Sequence, residues 1–124
     1  MYSAEIQKIN DYLKTQSWMD FEVYKIGINE ITLHGFKDGL PSPNDRIIIR
    51  FKQCNMIACR LWFTYDPEEG DFLSIAQGEE AYQINGKYDI LQGNTVFKIS
   101  NVGMGFIGTP MYIAAERLEV EIKE

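Results

Sequence analysis

The side chains best placed to do chemistry in this sequence are acids. Asp66, Glu68, Glu69 and Asp71 crowd one turn, and Glu79, Glu80 and Asp89 come after it, with only Lys87 as a positive charge between residues 66 and 89. The rest of the chain is close to neutral, so this segment accounts for the formal net charge of -6. Carboxylates at such density offer two chemistries, a hard-cation cage or a negative field that attracts a basic partner. A calcium loop needs oxygens at its first, third and fifth positions, glycine at the sixth and glutamate at the twelfth. Pro67 and Gly70 disturb that register, so no metal is expected. Asp66, Glu68, Glu69, Asp71, Glu79 and Glu80 are instead candidate contacts for a basic protein surface, with a solvated acidic turn as the simpler alternative.

Other candidates for chemistry are thinner. His34 stands beside Gly35 with no serine or cysteine in a recognisable nucleophile context, which reads as a structural histidine and leaves no catalytic residue to nominate. Cys54 and Cys59 are too few for a disulfide framework and, with one histidine, too few for a zinc site. Gly103-Met104-Gly105-Phe106-Ile107-Gly108 matches the dinucleotide fingerprint by letter, but the helix, parallel strand and acidic residue that the mechanism needs do not fit into the residues after Gly108. No cofactor is expected. Glu116 would turn inward in the strand phase that buries Tyr112, Ala114 and Leu118, and a buried carboxylate needs a partner or a shifted pKa. With Trp18 and Trp62 it forms a candidate ligand-binding set between helix and sheet.

These residues must be positioned by one domain. At 124 residues, 45% hydrophobic and 24% charged, residues 1–124 form a single globular unit that can bury a core without staples. An isoelectric point near 4.8 and no basic run argue against nucleic acid. The first ten residues lack a signal-peptide pattern and no stretch is apolar enough for a membrane span, so the chain reads as cytoplasmic.

Ser3 is placed to cap an opening helix whose Tyr2, Ile6, Ile9 and Leu13 share a stripe. The period then changes to two. Tyr24, Ile26 and Ile28 share one strand face, and the opposite phase of Ile31 and Leu33 predicts a hairpin about Asn29-Glu30. A Pro- and Gly-rich loop spans 37–45. Alternation over 46–52 and 57–65 predicts two antiparallel strands, with Trp62 in the core. Glycines 78, 86 and 93 divide the next stretch into short strands near 72–76, 81–85 and 88–91, and 95–100 adds another. The segment 111–122 fits helix or strand, and the outward Glu119, Glu121 and Lys123 favour strand. The fold class is α+β: one N-terminal helix on a mostly antiparallel sheet of roughly six to eight short strands.

The order of opening helix, Trp18-Met19-Asp20-Phe21-Glu22-Val23, short strands, Ile47-Ile48-Ile49-Arg50-Phe51 and Ile113-Ala114-Ala115-Glu116-Arg117-Leu118 resembles small bacterial immunity proteins of polymorphic toxin systems. Trp18 and Asp20 echo the family's aromatic and aspartate cluster, and its histidine is missing. The resemblance implies an α+β fold and tight binding that blocks a cognate toxin. The expected function is therefore a non-enzymatic protein-binding module. Alternatives are a small-molecule binder or minor enzyme with a helix–sheet pocket, and a structural subunit of a homo-oligomer.

Overall fold

The computed structural model describes residues 2–38, 45–102 and 109–123. Helix α1 (Ser3–Lys14) precedes β1 (Met19–Lys25), β2 (Glu30–Phe36), β3 (Asp45–Ala58) and β4 (Trp62–Tyr65). A 3-10 turn (Pro67–Glu69), β5 (Leu73–Ile75), α2 (Gly78–Tyr88), β6 (Thr95–Ile99) and β7 (Met111–Ile122) complete the order. The strands form one antiparallel sheet ordered β4-β1-β2-β3-β7-β6-β5, so the fold is α+β with an N-terminal helix, as the sequence predicts. The sheet curls: Tyr65 at the end of β4 bridges Val102, just beyond β6, and Asp66 N–H donates to the Asn101 carbonyl at 3.2 Å. No helix among the described residues is long and apolar enough to cross a membrane.

Strand alternation gives the sheet two different faces. Its inner face carries Met19, Phe21, Leu33, Ile47, Ile49, Phe51, Phe63 and Leu118, which close over Ile9 and Leu13 of α1. Phe72 stacks on Phe21 with ring centroids 4.6 Å apart and meets Tyr65 edge-on, so the curl is sealed by aromatic packing. A side chain at Gly35 would not fit this core. A Cβ there would sit 2.5 Å from Ile47 Cγ2 and 3.0 Å from Phe21 Cε1. On the outer face Ala81 and Ile84 of α2 pack on Val96, Ala114 and Met56.

Several sequence expectations change. Tyr2, not Ser3, is the N-cap of α1, and no side chain caps it. The short strand expected over 81–85 is helix α2, where Ala81 and Ile84, three apart, face the sheet and that spacing prevails over the glycine punctuation; of the strand expected over 88–91, Tyr88 ends α2, Asp89 is its left-handed C-cap and 90–91 are irregular. The expected break at Gln53-Cys54-Asn55 does not end the strand. Gln53 takes φ 56° and the register slips by one residue between Cys54 and Met56, so β3 runs on as one long strand. β4 then pairs with β1 rather than with β3. Ile26 and Ile28 lie in the exposed hairpin turn beyond β1 instead of extending it. Most of the 37–45 loop and the 103–108 glycine motif lie outside the described residues.

Candidate functional site

The half of the outer face away from α2 is built by cross-strand rows. One row runs Trp62, Glu22, His34, Ile48, Glu121 across β4, β1, β2, β3 and β7. Beside it lie Thr32, Arg50 and Glu119, and then Glu30, Lys52 and Arg117. The β3–β7 side of this face neutralises itself. Arg50 pairs with Glu121 at 3.2 Å, Lys52 with Glu30 at 2.5 Å and Lys123 with Asp45 at 3.1 Å. Bonds from Lys52 first, then Thr32, hold the Glu30 carboxyl below its ordinary range.

The β1–β4 side is different in kind. Trp62 is 49% exposed, which corrects its expected core role: Phe63 takes the inward position of β4 and Trp62 the outward one. Leu61, Tyr24, Ile26 and Ile28 are exposed at the same end of the sheet, and Leu61 is tied to β1 by its carbonyl, which accepts from Val23 N–H. Tyr24 lies flat on His34 with ring centroids 4.1 Å apart. His34 is buried beneath it, and its Nδ1 has no hydrogen-bond partner among the described residues. Burial, reinforced by Lys123 and Arg50 and opposed by Asp45 and Glu22, pushes the imidazole pKa below 6.5.

The six predicted acidic contacts separate. Asp66 caps the 3-10 turn, its carboxylate accepting from Glu68 N–H at 3.0 Å. Glu68 and Glu69 lie in that turn, which Tyr65 braces by donating to the Gly70 carbonyl at 2.5 Å. Burial pushes the Tyr65 hydroxyl up to about 12. Asp71 is paired with Lys14 of α1. Glu79 accepts from Gln83 at 2.7 Å, and Glu80 accepts from Tyr112 at 2.6 Å and from Lys98 at 3.1 Å. Those last two bonds, the tyrosine's first, depress the Glu80 pKa, while burial and Glu80 raise that of Tyr112 to about 12. Glu79 and Glu80 therefore belong to α2 and its docking, while Glu68 and Glu69 continue the strand that carries Trp62.

Trp18, Trp62 and Glu116 do not meet in a pocket. Trp18 lies under Lys37 at the start of β1, and Glu116 is four strands from Trp62, each strand spacing being about 4.8 Å. Glu116 is exposed, because β7 changes its inward phase between Ala115 and Leu118; its backbone carbonyl is engaged by the Tyr2 hydroxyl. A concave feature lies instead between α2 and the β5–β6 side, a cavity of about 450 Å³ lined by Ala76, Ala81, Tyr82, Ile90, Asn94 and Val96, among others.

Sequence reasoning missed Asn10. It is buried, donates to the Leu73 carbonyl at 2.9 Å, and accepts from Phe72 and Leu73 N–H at 3.1 and 3.0 Å. One side chain thus stands in for a neighbouring strand along β5. Its helical position, directly after buried Ile9, was the available signal. Cys54 and Cys59 are free thiols; burial raises both, Cys59 to about 12, which disfavours its thiolate. Among the described residues no group of three His, Cys, Asp or Glu side chains could hold a metal. No protein-family model matches the chain, and searches of curated proteins and of solved structures give no significant match.

Proposed function

We propose that this protein is a non-enzymatic binding module that engages a basic protein surface through the β1–β4 side of its sheet. The observation that carries this reading is the pairing of an apolar patch with acids on one edge. Trp62, Leu61 and Tyr24 are exposed at one end of β4, and the strand runs directly into the turn that holds Glu68 and Glu69. An aromatic anchor at one end of an edge strand and a charged turn at its other end suit a protein interface, the aromatic slowing dissociation and the charges speeding encounter. Neutralisation of a cognate toxin in the cytoplasm is the specific form that the immunity-protein resemblance suggests.

The test starts from capture at low salt from cells that make the protein. A captured basic protein is then purified, and its binary association and dissociation rates are measured. Glu68→Gln with Glu69→Gln is expected to slow association about threefold to tenfold at low salt, with the difference closing at high salt. Trp62→Ala is expected to speed dissociation at least tenfold. Asp66 and Asp71 are left intact because they cap a turn and pair with α1. No capture, or binding indifferent to Trp62, Glu68 and Glu69, overturns the reading.

The cavity beside α2 supports a second reading, a small-molecule site with apolar walls and an amide rim. It predicts ligand-dependent thermal stabilisation that Tyr82→Ala abolishes, and no response across a broad metabolite panel counts against it.

A further inference from the structure

His34 is the single histidine of the chain and the one member of its row that is both titratable near neutral pH and buried. It faces Glu22 and Tyr24 on β1, and Asp45 and Arg50 on β3, with Lys123 just beyond β7; Arg50 is in turn engaged by Glu121. Asp45 stands opposite Phe36, two residues on from His34, so the two side chains are diagonal neighbours across β2 and β3 on one face. Both are buried, at 9% and 8% exposure, yet they are not bonded to each other: His34 Nδ1 is unpartnered among the described residues, and Asp45 Oδ2 meets Lys123 Nζ at 3.1 Å as an ion pair. Lys123 is half exposed and held in line by its own N–H donating to the Arg46 carbonyl at 2.7 Å.

A buried imidazole that takes up a proton needs an acceptor, and the carboxylate on its diagonal already has an exposed partner that water can replace. We propose that His34, Asp45 and Lys123 form a proton-operated charge exchange: with the imidazole neutral, Asp45 pairs with Lys123, and with it protonated, His34 Nδ1–H donates to Asp45 and the Lys123 ammonium is released to solvent. The proton enters from water and no bond other than N–H is made. The exchange shifts a positive charge at the end of β7 and places another beside Glu22, on the same face of the sheet. It goes beyond the proposed binding role and is tested on the protein alone.

Because there is one histidine, a single imidazole signal reports the switch by NMR between about pH 8 and about pH 4.5, the range that brackets an imidazole shifted down by burial. Removing the acceptor with Asp45→Asn is expected to lower the His34 midpoint, and removing the competing cation with Lys123→Met to raise it. In the wild type the Lys123 side-chain resonance is expected to move with the His34 midpoint. Should Asp45→Asn fail to fold, the surface variant Lys123→Met and the wild-type lysine signal decide the matter. A His34 midpoint unchanged by Lys123→Met, or a Lys123 resonance that stays flat through the His34 titration, overturns the exchange.

Discussion

The two helices lie on opposite faces of the same sheet and are held by different physics. α1 buries Ile9, Asn10 and Leu13 completely or nearly so, closing the aromatic inner core. α2 buries none of its residues; it rests on small side chains, Ala76, Val96 and Ala114, and is latched by Glu80 to Lys98 and Tyr112. Apolar burial is worth roughly 25 cal/mol per Å², whereas a part-exposed ion pair contributes less than about 1 kcal/mol. α1 is therefore part of the folding unit, while α2 is an element that opens locally at lower cost.

Leu13→Ala should break the stronger side of that comparison, costing about 2–5 kcal/mol by loss of transfer energy and cavity formation, measured by denaturant unfolding. Asn10→Ala should come next at about 1–3 kcal/mol, because it orphans two N–H groups and a carbonyl at the edge of β5; hydrogen exchange at Phe72 and Leu73 should rise with it. Gly35→Ala should cost a similar amount, about 1–3 kcal/mol, since the new methyl needs Ile47 and Phe21 to move. A neutral effect there would show that the core between β1 and β3 is looser than its contacts indicate.

The weaker side is sharpened by Ile84→Ala, expected to cost about 1 kcal/mol or less globally while accelerating exchange across α2 alone. Smallest of all is Glu80→Gln. The folded-state pKa of Glu80 is depressed, so its contribution is present above the ordinary carboxylate value of 4.5 and is lost as pH falls through the folded value. The stability difference between wild type and Glu80→Gln should therefore shrink on acidification below 4.5, read from unfolding at about pH 7 and about pH 3.5. His34 has the same sign, in a higher pH window. Its proton is bound more readily by the unfolded chain, so its burial lowers stability as pH falls below 6.5, and a His34→Gln variant should lose that dependence.

The elements that could be read directly are those whose pattern agrees with their packing. The stripe Tyr2, Ile6, Ile9, Leu13 defines α1, the phase reversal before Ile31 marks the first hairpin, and the outward Glu119 and Glu121 make the terminal segment a strand. α2 was obscured because Gly78 and Gly86 punctuate a segment whose apolar content is two small contacts, Ala81 and Ile84. The Gln53 kink was obscured because a left-handed glutamine has no sequence signature. At the candidate site, Glu68 and Glu69 were visible as acids in a turn and Trp62 as a large aromatic, but the pairing of β4 with β1 that joins them was not.

The information carried by the sequence is local: periodicity sets helix and strand, composition supplies enough apolar side chains for a sizeable core, and charge density marks the turn after residue 65. Only the tertiary structure decided which strands are neighbours. Pairing brings Glu22 between Trp62 and His34, sends Glu116 four strands away, and gives Asp66 and Asp71 structural partners while leaving Glu68 and Glu69 beside the strand that carries Trp62. The reason is that strand order is chosen by the burial of whole faces against one another, a nonlocal free energy that no short window of residues contains.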